Sequence, residues 1–119
     1  MNSEIKFITN AREYNPENTF TVHLPEIRNK EELFSSVSLK LGFPSYFGFN
    51  WDALSECLRD LSWISFKKVN LIHDDIFLTN DGNSLTIYID VLKDALQDWQ
   101  NSEAHDFDVF FPVEMKRFL

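Results

Sequence analysis

The stretch FPSYFGFNWDALSECLRDLSW, residues 43–63, predicts an aromatic loop followed by a short amphipathic helix. Its apolar residues recur at i, i+3, i+4 and i+7, which places on one helical face Leu54, Cys57, Leu58 and Leu61. Asp52, Glu56 and Asp60 recur four residues apart on the opposite face. Because like charges at this spacing repel by a few tenths of a kcal/mol per pair, the acidic face is an indication of a positively charged partner.

The overall charge is consistent with such a partner. The 119 residues include 19 acidic and 11 basic side chains, a formal net charge of −8 at pH 7. A protein with this charge repels nucleic acid and anionic membranes and associates faster with basic proteins. Ordinary solubility is the alternative explanation for the same excess of acid. With 44% hydrophobic residues and 12 Phe, the chain is expected to form one globular domain with an aromatic-rich core.

The single cysteine excludes an intrachain disulfide. Because Cys57 lies on the apolar face of the predicted helix, a buried and unreactive thiol is favoured. The N-terminus lacks the charged-then-apolar pattern of a secretion signal, and no apolar run approaches the roughly 20 residues that cross a bilayer. The sequence therefore predicts a soluble, cytoplasmic protein.

Strand and helix patterns alternate along the rest of the chain. Strands are predicted at residues 20–24, 69–72 and 107–111, and helices at 30–41 and 85–99. Strands separated by helices favour parallel pairing, so we expect an α/β fold with a small three-stranded parallel sheet covered by helices. Residues 1–18 are interpreted as an N-terminal extension, in which residues 5–8 are a candidate edge strand, and residues 19–119 as the domain.

Particular residues are expected to begin or end the predicted helices at 30–41 and 85–99. Asn29 and Ser84 are the predicted N-caps, and Gly42 is the predicted C-cap of the first helix. The last helix has a second acidic stripe opposite its apolar face, formed by Asp90, Asp94 and Asp98. Acidity is thus a repeated property of the helix faces expected to be exposed.

Catalytic constellations are hard to find. The three histidines lack metal-ligand spacing, and only three glycines occur, none of them in a phosphate-binding loop. His73-Asp74-Asp75 is the only place where a histidine adjoins acids, and a solvated turn is the interpretation preferred over a metal or acid–base site. Carboxylates spaced four apart on a convex helix face form no cleft. We predict that the chain is not an enzyme and uses no cofactor and no metal.

The aromatic residues before the acidic helix favour a binding surface instead. Aromatic side chains beside charges have the composition of an interface hot spot. Phe47 and Phe49 are expected to belong to the core, whereas Tyr46 and Trp51 are expected to be partly exposed.

Residues 43–58 resemble the barstar family of ribonuclease inhibitors. The resemblance rests on the motif PSYFGFNWDALSECL, which joins a loop, a helix start and an acidic face in one unbroken register. Residues 19–41 are similar to the first strand and helix of that family, and residues 91–95 to its last helix. The resemblance extends over roughly residues 19–111.

This resemblance implies a three-stranded parallel sheet and a helix whose carboxylates occupy the RNA phosphate positions of a nuclease active site. The family's contact residues correspond to Tyr46, to Asp52, to Glu56 where the prototype has Asp, and to Asp94 or Asp98. Ser55 stands where the prototype has an interface Trp, and Trp51 where it has Leu, so the aromatic anchor is shifted by one helical turn. The predicted partner-binding residues are Tyr46, Trp51, Asp52, Ser55, Glu56, Arg59, Asp60, Asp94 and Asp98.

The leading hypothesis is an inhibitor, immunity protein or antitoxin that forms a 1:1 complex, as a monomer, with a basic ribonuclease. It is expected to bind neither nucleic acid nor membranes directly. Two alternatives remain open at this point. One is a non-inhibitory acidic module that binds another basic protein, and the other is a carboxylate-based, metal-dependent hydrolase.

Overall fold

The structure is a computed structural model that describes residues 4–119. Its four strands are β1 (Ile5–Ile8), β2 (Phe20–Leu24), β3 (Lys68–His73) and β4 (Asp106–Pro112). Its three α-helices are α1 (Lys30–Leu41), α2 (Trp51–Asp60) and α3 (Gly82–Gln100). Short 3₁₀ helices follow β1 at Ala11–Glu13 and β4 at Val113–Phe118.

The sheet has four parallel strands in the order β1-β4-β3-β2, so the prediction of three strands is wrong. The added strand is β1, the candidate edge strand, and Ile5 pairs with Val109 and Phe7 with Phe111. An alternation of four residues is by itself a weak signal of a strand. The strand conformation of these residues depends on pairing with β4 at the other end of the chain. The proposed boundary after residue 18 stays a prediction, and residues 1–3 of that extension lie outside the described part.

One face of the sheet and the three helices enclose the main core. The inward side chains of β3 and β4 include Val69, Leu71, Phe107, Val109 and Phe111, and each is fully buried. They belong to one hydrophobic cluster with the inner faces of α1, α2 and α3. The predicted apolar face of α2 is confirmed, since Leu54, Cys57 and Leu58 are buried.

The other face of the sheet is crossed by the segment that joins β1 to β2, because these strands lie at opposite edges. Ala11 packs there with Ile72 and Phe110, and the Tyr14 ring lies 5.0 Å from that of Phe110. The N-terminal segment therefore covers a surface that the helices leave open.

Both predicted caps of α1 are confirmed, whereas the predicted N-cap of α3 is wrong. Asn29 caps α1, as predicted, and its Oδ1 accepts a hydrogen bond from the Glu32 backbone N–H at 2.9 Å. Gly42 ends α1 in the left-handed conformation, φ 67°, where glycine has no steric cost. The N-cap of α3 is Asp81 and not Ser84, because the Asp81 carboxylate accepts from the Ser84 N–H at 3.1 Å.

Among residues 4–119, no helix combines the length and apolarity that crossing a membrane requires.

Candidate protein-binding site

The start of α2 is fixed by the side chain of Asn50. Its Oδ1 accepts from the Ala53 backbone N–H at 2.8 Å, and its Nδ2 donates to the Gly48 carbonyl at 3.3 Å. A Cβ at Gly48 would lie 3.1 Å from that same Nδ2, so glycine allows the loop to approach the cap closely. The aromatic loop and the helix are therefore joined rigidly at this residue.

The outer face of α2 presents the predicted carboxylates. Asp52, Glu56 and Asp60 are all exposed. Within the described residues none of the three forms an ion pair, whereas the buried carboxylate of Asp108 is paired with both Lys6 and Lys68. The structure thus neutralises the acid in its interior and leaves the acid on α2 available to a partner.

Aromatic rings hold the loop against the body of the protein. The Phe47 ring lies 5.0 Å from Phe43, 6.3 Å from Phe34 and 4.8 Å from Phe49. Phe47 is buried, as predicted. Tyr46, next to it, is 72% exposed, which confirms the expected exposure of its ring and hydroxyl.

Phe49 does not belong to the core, which corrects the sequence-based expectation. Its side chain is 56% exposed and its φ is 52°. A bulky residue in the left-handed region costs on the order of 1 kcal/mol or more and is uncommon. No local sequence signal marks a phenylalanine for this conformation, so the sequence could not indicate that Phe49 projects from the surface.

Trp51 is half-buried and is directed partly toward α1. Its ring meets that of Phe34 edge to face, with 4.9 Å between centroids. Trp51 therefore links the first turn of α2 to α1 while part of the indole stays accessible beside Asp52.

Helix α3 lies alongside α2 and is tied to its C-terminal half. The indole N–H of Trp99 donates to the Leu58 carbonyl at 2.8 Å in a buried hydrogen bond. On the surface, Arg59 Nη1 lies 3.7 Å from Asp98 Oδ2, and Arg59 Nε donates to the Ser55 carbonyl at 3.3 Å. The structure therefore brings Asp98, from the second acidic stripe, to the edge of the α2 face.

Leu61, directly after α2, adopts a left-handed φ of 50° and is fully buried. Its carbonyl contacts His105 Nε2 at 3.1 Å, and the Phe66 carbonyl contacts Nδ1 of the same ring at 2.7 Å. Because His105 is itself buried, its ring holds in place Leu61 and Phe66, which lie near the two ends of the segment that follows α2.

The thiol of Cys57 is buried on the inner face of α2. Burial, and after it the negative charges of Asp60 and Glu56, raises the pKa of the Cys57 thiol. The group thus stays protonated and unreactive at neutral pH, in agreement with the sequence-based interpretation.

His73 is buried, so its interpretation as part of a solvated turn is wrong. Its Nδ1 donates to the Phe110 carbonyl at 2.8 Å, and its Nε2 accepts from the Tyr88 hydroxyl at 2.8 Å. Its ring stacks on Phe111 at 4.0 Å. Burial lowers the pKa of His73 to about 3 and raises that of Tyr88, so both groups are neutral parts of the core.

His23 is half-buried and pairs with the acid that follows His73. Its Nδ1 lies 2.6 Å from Asp74 Oδ1, and its Nε2 lies 2.9 Å from the Tyr14 carbonyl. The ring thus ties the end of β2 to the segment after β3 and to the N-terminal segment. Within residues 4–119, no group of three or more His, Cys, Asp or Glu side chains is arranged to hold a metal ion.

Most of the predicted partner-binding residues share one surface formed by the loop, α2 and the adjoining edge of α3. Ser55 is half-buried between the acidic face and the core-facing side of α2, while Arg59, Asp94 and Asp98 are exposed. The contact between Arg59 and Asp98 connects the two helices directly, whereas in the described part of the chain no ion pair links Asp94 to α2. The involvement of all nine residues in binding stays a prediction.

The fold and this surface define a class: a small acidic α/β protein with a helix that presents exposed carboxylates. Residues 17–112 match the family model described as Barstar (barnase inhibitor), and the chain belongs to that family. No curated protein and no solved structure matches the chain significantly. Barstar-family proteins are inhibitors and not enzymes, so the hydrolase alternative is excluded and a function like that of a ribonuclease inhibitor is implied.

Proposed function

We propose that this chain inhibits a basic ribonuclease by inserting α2 and the preceding aromatic loop into the nuclease active site. The observation that carries the proposal is the set of three exposed carboxylates on α2 that form no ion pair with any cation of residues 4–119. A ribonuclease cleft must be lined by cationic side chains because it binds phosphate groups. Asp52, Glu56 and Asp60 offer anions to the same cations.

Charge and packing serve different parts of the interaction. The net charge of −8 attracts a basic nuclease over long range and raises the association rate. The exposed Tyr46 ring and the accessible part of Trp51 supply aromatic area beside the charges, which slows dissociation. The exposed Asp98 extends the acidic surface at its edge.

The biological role that follows is an immunity protein or antitoxin in the cytoplasm. An inhibitor of this kind protects the cell that makes the nuclease. A monomer that forms a 1:1 complex is compatible with this surface, because the loop, α2 and the edge of α3 lie on one side of the molecule.

A direct test is an RNA-cleavage assay with a panel of purified basic ribonucleases that begins with barnase, the nuclease in the family description. We expect the wild-type protein to abolish cleavage by at least one of them at equimolar ratio. Binding without any loss of cleavage would instead support a non-inhibitory binding module. If no nuclease of the panel is bound or inhibited, the proposed function is wrong.

A further inference from the structure

A groove of about 480 Å³ lies between the N-terminal turns of α1 and α2. Its apolar wall is formed by Phe34, Phe49 and Trp51, and its rim includes Lys30, Glu31 and Ser35. Neither Glu31 nor Ser35 is part of the acidic face on α2. The groove is thus a distinct feature that extends from the proposed inhibitory surface onto α1.

The conformation of Phe49 is the most unusual feature of this groove. Phe49 takes a left-handed φ of 52°, yet its side chain stays 56% exposed. Core packing alone does not account for a strained backbone that leaves more than half of a large apolar ring in solvent. Strained residues of this kind concentrate at ligand clamps, where the backbone holds a side chain ready for a partner.

The groove is continuous with the start of the acidic helix. Asn50 and Trp51, which line it, are the N-cap and the first residue of α2, and Asp52 follows directly. A partner seated on Asp52 and Glu56 therefore reaches the groove without leaving the surface. The rim carries one charge of each sign, on the exposed side chains of Lys30 and Glu31.

We propose that this groove receives an apolar side chain, aromatic or long aliphatic, of the ribonuclease. The inference rests on the proposed function. It also assigns a source of selectivity, because an acidic face attracts every basic nuclease, whereas a shaped apolar groove favours those with a matching side chain.

Two variants test the groove without altering the acidic face. Phe49→Asn removes the ring but keeps a residue that tolerates a left-handed backbone. Ser35→Phe fills the groove from an exposed position on α1, so the fold is expected to persist. Leu39→Phe is the matched control, because Leu39 is 79% exposed on the same helix and does not line the groove.

The measurement is the Kd of each variant, by isothermal titration calorimetry, for the nuclease of the panel that the wild-type protein inhibits. Circular dichroism confirms that each variant is folded. We expect both groove variants to raise Kd about tenfold, as loss of an interface anchor does, and Leu39→Phe to leave it unchanged. Wild-type affinity in both groove variants, while Glu56→Ala still weakens binding, would overturn this inference alone. Absence of binding by the wild-type protein to every nuclease would overturn the proposed function as well.

Discussion

At the residue scale, Glu56 is the centre of the proposed interaction. It lies in the middle of the exposed face of α2, between Asp52 and Asp60. Its side chain is one methylene longer than the Asp of the family prototype, so it reaches further but loses more rotamer freedom when bound. A partner that binds Glu56 tightly must therefore hold the carboxylate with more than one cationic or N–H donor.

A second prediction at the residue scale concerns the effect of His73 on the stability of the protein at acidic pH. Burial lowers the folded-state pKa of His73 to about 3, below its ordinary value of 6.5. As the pH falls below 6.5, the unfolded chain binds a proton that the folded protein excludes, so this contribution to stability is present above 6.5 and is lost toward pH 3. We expect the free energy of unfolding to fall by about 2 kcal/mol from this group between pH 7.5 and pH 5.

Urea unfolding at several pH values tests this expectation. The control is His73→Phe/Tyr88→Phe, which removes both ends of the buried hydrogen bond at once. Its stability is expected to depend less on pH over this interval than that of the wild-type protein. Identical pH profiles for the two proteins would contradict the assignment of a neutral, buried His73.

At the element scale, α2 depends on its N-cap for both stability and position. Asn50 caps α2 as Asn29 caps α1, with an Oδ1 acceptor in each case. We expect Asn50→Ala and Asn29→Ala each to lower the free energy of unfolding by about 1 kcal/mol, as measured in urea. Only Asn50 also holds the aromatic loop through Gly48.

The pair of cap variants therefore separates stability from function. Inhibition of the nuclease is expected to weaken in Asn50→Ala and to persist in Asn29→Ala, measured well below the unfolding transition of either. Equal inhibition constants for the two variants would show that the loop keeps its position without the Asn50 cap.

Elements with long periodic signals could be predicted from the sequence, whereas features that depend on distant contacts could be predicted only in part or not at all. The apolar and acidic faces of α2 follow from its repeat, and the structure confirms both. Ile5–Ile8 is only a candidate edge strand from the sequence, because its conformation depends on pairing with residues about a hundred positions away. Likewise, the burial of His73 depends on Tyr88 and Phe110, which contribute no pattern near His73 itself.

At the scale of the whole molecule, the charges are divided between interior and surface. Asp108 is buried and paired with two lysines, whereas the acids of α2 are exposed and unpaired among the described residues. The helices cover one face of the sheet and the N-terminal segment crosses the other. The exposed helix side thereby presents unpaired acids that attract a basic protein.

The central claim is that the acidic face of α2 contacts the nuclease, and the most direct test is the affinity of Glu56→Ala and Asp52→Ala. Glu17→Ala is the matched control, because Glu17 is an exposed acid in the segment that joins β1 to β2. Calorimetric titration is expected to show a loss of about 3 kcal/mol in each α2 variant, roughly a 150-fold rise in Kd, with the control near wild-type. Unchanged affinity in both α2 variants would contradict the claim.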